Sequence, residues 1–469
     1  MFDNQGEHNE EPSKELLARF EKMLVQSECY FFDIDEFEDI IEYYFERNNI
    51  KKTNIALNFA LEQYPHSTIF QLKKAQVLAS TNKTEKALEI LSKVEILEPT
   101  NTEIFITKAN IFSQLKEYKK AIEEYKKAVT ESEEIEEIYN NIAFEYENLG
   151  NYDKAIQYLK KVVKINPNNE SALYELLYCY EISDNNDECI NFFQKIIDKN
   201  PYSKYAWFII GLSYNNISLF EKAIESYDYA IAIDENFSSA YFNKANTYFN
   251  MKQYEDAVVS YKETLNNDDD ADALTYYFIG ECYEKLKDFD AAIIHYNKAI
   301  EIDKNISDAW IGIGVIYDEL GESKKAFTYI EQAISIEPLN SEYLYILGDV
   351  QYKAGQYEEA IISFKKVSEL EPLNDEIWLD YSETYIKTDD IEKAIEIIEE
   401  GINEQPQNAD FYYRCIAYLI QSGKHKEAYE KLELAMQIDF EKHNNIFEYN
   451  NELKNNSNLI EIIESFKTK

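Results

Sequence analysis

Glycine and proline are scarce in this chain, 11 and 8 among 469 residues, which leaves few sharp breaks and favours helix. Cysteine is scarcer. The five (29, 179, 189, 282 and 415) are scattered, with no CxxC pair and no even framework, and read as small buried hydrophobes in a reducing cytoplasm. Positive charge is short as well: 47 Lys and Arg face 89 Asp and Glu, a formal net charge of −42. Nucleic acid and anionic lipid both demand a basic surface, so the charge argues against either as a partner. Long apolar runs are missing; the longest, Tyr205 to Tyr214, is too short to span a bilayer. The acidic start, Met1-Phe2-Asp3-Asn4, has neither the basic nor the apolar region of a signal peptide.

Hydrophobic residues make up 45% of the chain and aromatics 14%, too much for a disordered acidic polymer. The length implies either several domains or one repeat array. A small residue after Lys, Glu or Asp recurs at Ala87, Ala121, Ala155, Cys189, Ala223 and Ala257, each step 34 residues. It continues at Ala292, Ala326, Ala360, Ala394 and Ala428, and only the step from Ala257 to Ala292 is 35. The polar run Asn266-Asn267-Asp268-Asp269-Asp270 is where a loop can absorb the extra residue.

Other residues keep the same period, measured from this marker. Pro65, Pro99, Pro167, Pro201, Pro338, Pro372 and Pro406 fall twelve residues after it, where a helix must stop. Gly150, Gly321, Gly355 and Gly423 fall five before it, at a turn, and Gly211, Gly280, Gly314 and Gly348 twelve before it, where helices can approach closely. The three tryptophans, Trp207, Trp310 and Trp378, share the column sixteen before. Aromatics fill the columns nine before (Tyr146, Tyr180, Tyr214, Tyr248, Tyr283, Tyr317, Tyr385) and four after (Tyr125, Phe193, Tyr227, Tyr261, Tyr296, Phe364). Spacing inside each half is helical, so each unit is expected to be two antiparallel helices joined by a glycine turn.

A unit such as Trp310, Ile313, Gly314, Tyr317, Ala326, Ala333 and Pro338 resembles the tetratricopeptide repeat family in residues and period. Twelve units fit between residues 34 and 442, the first carrying Thr53 at the marker and the last Phe440 where proline often falls. Residues 1–33 read as an N-terminal capping helix and linker, with Ser13 as helix cap, an apolar Cys29-Tyr30-Phe31-Phe32 stretch and a capping box at Asp33 and Glu36. Residues 443–469 read as a C-terminal capping region of one or two short helices. The resemblance implies an all-α, right-handed superhelical solenoid whose first helices line a concave groove. It also implies a non-enzymatic scaffold or adaptor for protein partners.

Two groove columns, fifteen and eleven before the marker, are unexpectedly apolar in the middle units. With their neighbours they nominate Asn140, Phe144, Tyr174, Tyr178, Tyr205, Phe208, Leu212, Asn215, Phe242, Asn246, Phe249 and Tyr277 as a partner-binding groove. Rigid aromatics beside amides suit an extended peptide or a helix. Further along, Glu281, Glu284, Asp318, Glu319, Asp349 and Glu383 point to a partner with basic segments, or to a solvated acidic face. The basic clamp used by family members that read acidic chaperone tails cannot be assembled from adjacent units.

Catalytic and metal signals are weak. Five scattered histidines form no HExxH, no P-loop exists, and no cofactor is implied. Gly312-Ile313-Gly314 lacks the third glycine of a dinucleotide motif. Asp268, Asp270 and Asp272 alternate like calcium ligands, but Ala273 replaces the turn glycine and Ile279 the bidentate glutamate, so they read as helix caps. The alternatives to a scaffold are a regulatory subunit of an enzyme and, against the charge, a helical-repeat RNA binder. The Asn-, Ile-, Lys- and Glu-rich residue usage suggests an AT-rich, bacterial genome.

Overall fold

The computed structural model describes residues 13–26, 30–130, 135–267 and 272–467. Cys29 and the loop aspartates Asp268 and Asp270 lie outside the described residues. The described chain is all α, built from twelve consecutive helix pairs between Ile34 and Ile438, one per sequence unit, here repeats 1 to 12. The chain divides into two compact units, Met1–Ile233 and Asp234–Lys469. In the first, repeat 4 is Ile135–Asn148 with Tyr152–Ile165, repeat 5 is Glu170–Ile182 with Asn186–Ile197, and repeat 6 is Lys204–Asn216 with Phe220–Ile233. In the second, repeat 8 is Ala273–Lys285 with Phe289–Ile302, repeat 9 is Ser307–Glu319 with Ser323–Ile336, repeat 10 is Ser341–Lys353 with Tyr357–Leu370, and repeat 11 is Asp375–Lys387 with Ile391–Glu404.

The columns have physical counterparts. Every marker from Thr53 to Ala428 is fully buried, because the two helices of a pair cross there. Thr53 tolerates the position by donating its hydroxyl to the Asn49 carbonyl at 3.0 Å. The aromatics four residues later are buried too, and Tyr227, Tyr296 and Phe364 press into first helices at glycine notches. A Cβ at Gly348 would lie 2.6 Å from the Phe364 ring, and one at Gly280 2.6 Å from Tyr296. Each tryptophan indole donates to the carbonyl six residues back, Pro201 at 3.0 Å, Lys304 at 3.1 Å and Pro372 at 2.9 Å, pinning the loop that enters its repeat. Asp33 and Glu36 form the expected capping box, Ser13 caps the helix Lys14–Gln26, and Asp272 accepts from the Leu274 and Thr275 amides.

One expectation needs correction. The turn between paired helices is left-handed throughout, but glycine fills it only at Gly150, Gly321, Gly355 and Gly423. Elsewhere Asn48, Asn82, Lys116, Asp184, Ser218, Lys252, Lys287 and Asp389 hold φ between 53° and 60°. Helix pairing enforces the conformation and the residue follows.

At the ends, Phe20 of Lys14–Gln26 is buried with Phe32 of the linker and Phe37 of repeat 1, and Leu459 and Ile463 of Ser457–Lys467 are buried in the cluster that holds Ile446 and Leu453. The tail is more broken than expected: short 3-10 turns Glu441–Asn444 and Asn451–Asn455 flank the helical turn Asn445–Tyr449 before the last helix. Lysines stitch neighbouring repeats: Lys73 to Glu42 at 3.1 Å, Lys160 to Glu188 at 2.6 Å, Lys287 to Glu319 at 2.8 Å and Lys431 to Glu399 at 2.9 Å.

The two glycine columns differ in cost. At Gly321 a Cβ meets nothing, so Gly321→Ala is expected to lose only the left-handed backbone penalty, about 1 kcal/mol. At Gly348 the ring of Phe364 must move, so Gly348→Ala is expected to lose about 2 kcal/mol. Thermal unfolding followed by circular dichroism checks the order; an equal or smaller loss at Gly348 contradicts the notch.

Candidate functional site

The nominated groove residues do not form one surface. In repeats 4 and 5, Phe144 is 51% exposed, Tyr174 45% and Tyr178 49%, on consecutive first helices. Asn140, Tyr205, Leu212 and Asn215 beside them are half-buried. Tyr178 meets Tyr152 edge-on at 6.4 Å, and the Tyr205 hydroxyl donates to Glu170 of the preceding repeat. Phe208 is a correction: it is 1% exposed, wedged between Tyr174 at 6.1 Å and Tyr227 at 5.9 Å, so it is a floor and not a contact residue. It shares a column with Tyr174.

In the second unit the nominated residues serve packing. Phe242 lies 5.6 Å from Tyr261 and 5.8 Å from Phe278, Phe249 lies 5.4 Å from Tyr254, and Tyr277 lies 5.8 Å from Tyr296. Asn246 accepts the Tyr261 hydroxyl, as Asn110 accepts that of Tyr125, so amides in this column close a bond inside their own repeat. The cause is the tyrosine four residues after the marker, whose hydroxyl reaches the first helix and needs an acceptor once buried.

The acids nominated as a basic-partner face are partly committed. Glu284 accepts the Tyr296 hydroxyl at 2.8 Å, Glu319 meets Lys287, and Lys353 bridges Asp318 at 3.2 Å and Asp349 at 2.6 Å. Burial pushes the Glu281 carboxyl up. Sequence reasoning passed over Asp380, which with Asp349, Tyr352, Phe364 and Glu383 lines a cavity of about 230 Å³. Burial raises the Asp380 carboxyl although the Tyr345 hydroxyl donates to it at 2.6 Å. Glu383 accepts from Tyr352 at 3.0 Å and from Arg414 at 3.2 Å. The cysteines nominated as buried hydrophobes, 179, 189, 282 and 415, are buried free thiols.

Repeats 4 and 5 also hold a carboxyl pair, Glu147 and Glu175. Burial, and then the neighbouring Glu175 charge, push Glu147 up to about 7, and its Oε1 is buried without a hydrogen-bond partner. Burial also raises Glu175.

Tetratricopeptide repeat models match residues 102–134, 136–169, 205–237, 236–305, 307–338 and 351–414, more than half of the chain. The chain belongs to the tetratricopeptide repeat family. Arrays of this family are protein–protein interaction scaffolds. Among solved structures, the chain is similar to MamA (29% identity, covering 35% of this chain and 95% of that one, TM-score 0.33). It is also similar to YrrB, a repeat protein described as having an unusual peptide-binding site (20% identity, 39% and 93% covered, TM-score 0.33). A third is the C-terminal part of a repeat-containing protein from Cytophaga hutchinsonii (21% identity, 50% and 95% covered, TM-score 0.44). None of the curated proteins compared matches the chain. Among the described residues, no helix is long and apolar enough to cross a membrane.

The Glu147 shift has a pH consequence. The folded state holds this proton more tightly than the unfolded chain, whose carboxyl titrates near 4.5, so the added stability is present at low pH and is lost as pH rises through about 7. Glu147→Gln is therefore expected to raise the thermal midpoint at pH 8 more than at pH 5. The same gain at both values would contradict the assignment.

Proposed function

We propose that this chain is a non-catalytic scaffold whose first-helix face in repeats 4 to 6 binds an extended or helical segment of a protein partner. The observation that carries the reading is the exposure of Phe144, Tyr174 and Tyr178 on adjacent repeats of a chain that buries most of its aromatic columns. Rings that each cover a large area with two rotors contribute much of the energy at interfaces. Asn140, Tyr205 and Asn215 on the same face supply hydrogen bonds to a main chain. Residues 1–33 and 443–469 act as caps for the terminal repeats. Buried free thiols suit a reducing compartment, read here as the cytoplasm.

The second unit favours a basic segment of the partner. Asp349, Asp380 and Glu383, walled by Tyr352 and Phe364, enclose a cavity whose chemistry fits a lysine or arginine side chain.

Affinity capture from the native cytoplasm with wild type and a Phe144→Ser/Tyr174→Ser/Tyr178→Ser variant tests the first-helix face. These side chains are exposed, so the variant is expected to keep its circular dichroism spectrum. Losing about 1 kcal/mol per half-exposed ring weakens binding roughly a hundredfold. Capture of the same partners at the same yield by both chains would refute the proposal.

A further inference from the structure

Within single repeats, where first-helix rings meet the paired second helix, a ring stack recurs. In repeat 4, Tyr158 of the second helix lies 5.7 Å from both Tyr139 and Tyr146 of the first. In repeat 8, His295 lies 6.1 Å from Tyr276 and 5.4 Å from Tyr283, and in repeat 9, Tyr329 lies 5.9 Å from Trp310 and 5.5 Å from Tyr317. The middle ring always comes three residues after the marker, between rings sixteen and nine before it. Burial pulls His295 down to about 4, so its ring is neutral at neutral pH and stacks as an aromatic. A lysine of the preceding second helix attends two of these stacks. Lys126 lies 5.5 Å from the Tyr146 ring and 5.9 Å from that of Tyr158, and Lys262 lies 5.4 Å from that of Tyr283.

Repeat 11 keeps the outer rings, Trp378 and Tyr385, and keeps the lysine, Lys365, but its middle position is Ile397. Two further departures go with the exchange. Tyr381 stands where repeats 4, 8 and 9 have Ile142, Ile279 and Ile313, and its ring closes on Tyr385 at 5.5 Å. Gly401 stands where they have Val162, Ala299 and Ala333, and a Cβ there would lie 2.8 Å from Trp378 Cγ. Trp378 therefore sinks to 4% exposure, whereas Trp310 stays half-buried. The aromatic volume has moved inward, and a cavity of about 780 Å³ opens over Trp378, Tyr385, Ile397 and Ile361, with Lys365 and Lys393 among its rim.

We propose that this cavity is a second docking site, taking one aromatic side chain of a protein partner where repeats 4, 8 and 9 supply a ring of their own. Repeats 4, 8 and 9 show that a ring fits this position, each seating Tyr or His between two flanking rings, whereas Ala56, Glu124, Ser226 and Ser260 stand there in repeats 1, 3, 6 and 7. The room beyond one ring accommodates the main chain on either side of it. The site uses none of Phe144, Tyr174 or Tyr178, so it stands or falls separately from the first-helix face.

The test uses the full chain labelled with 15N on its tryptophan indoles, the Trp378 signal being assigned with Trp378→Phe. The probes are N-acetyl-tyrosinamide, N-acetyl-tryptophanamide and, as apolar control, N-acetyl-leucinamide. The aromatic amides are expected to shift the Trp378 indole signal saturably and leave Trp207 and Trp310 in place. The leucine amide is expected to leave all three unmoved. Ile397→Tyr, which supplies the missing ring from within, is expected to weaken the response at least tenfold while keeping the circular dichroism spectrum. The wild-type contrast between aromatic and leucine amides remains decisive if that variant does not fold. No shift with either aromatic amide, an equal shift with the leucine amide, or an undiminished shift in a folded Ile397→Tyr chain would overturn the proposal.

Discussion

The structure depends on one steric fit: a large apolar side chain four residues after each marker, aromatic in six repeats and Leu or Ile in the other six, is buried in its repeat, and the fit is tightest where it meets a glycine of a first helix. Tyr227 meets Gly211, Phe364 meets Gly348, and Tyr296 is gripped from both sides by Gly280 of its own repeat and Gly312 of the next. A repeat has no other way to bury its apolar face, so each owes its stability to itself and its neighbours. The fit also sets where hydroxyls emerge. Those of Tyr261 and Tyr125 reach acceptors at Asn246 and Asn110, which removes these amides from the binding face.

The remaining aromatics divide by exposure. On the first-helix face of repeats 4 and 5, Phe144, Tyr174 and Tyr178 stand about half exposed. Between paired helices, a three-ring stack closes the seam in repeats 4, 8 and 9, and the shift of bulk toward Gly401 opens it in repeat 11. Both candidate sites are local departures from a repeating rule, which is where a repeat protein can acquire specificity without losing its fold.

The period, the helix pairing, the proline stops, the capping box at Asp33 and the family were legible in the sequence because each depends on residues close along the chain. Exposure was not. Tyr174 and Phe208 occupy one column and each repeat carries a buried second-helix ring, Phe193 or Tyr227, yet Tyr174 is half exposed and Phe208 buried, a difference that only the packing reveals. The left-handed turns at Lys116 or Ser218 carry no residue that announces them; pairing imposes them from outside. Asp380 was missed since only the cavity reveals that it is enclosed with Glu383 and Tyr352. The sinking of Trp378 was hidden for the same reason, although Gly401 in a column of Val and Ala was its visible trace.

The lysine stitches between neighbouring repeats bear on how this chain carries a net charge of −42. Lys73, Lys160, Lys287 and Lys431 each place a cation on the seam between one repeat and the next, where acids of two repeats would otherwise face each other. Over longer distances, only dissolved ions can moderate the repulsion. At physiological ionic strength the screening length is about 8 Å, less than the roughly 10 Å thickness of a helix. Salt therefore truncates the Coulomb interaction to the range that packing already has. The electrostatics of the array then become nearest-neighbour as well, and a change of charge in one repeat is felt by the adjoining repeats and little beyond.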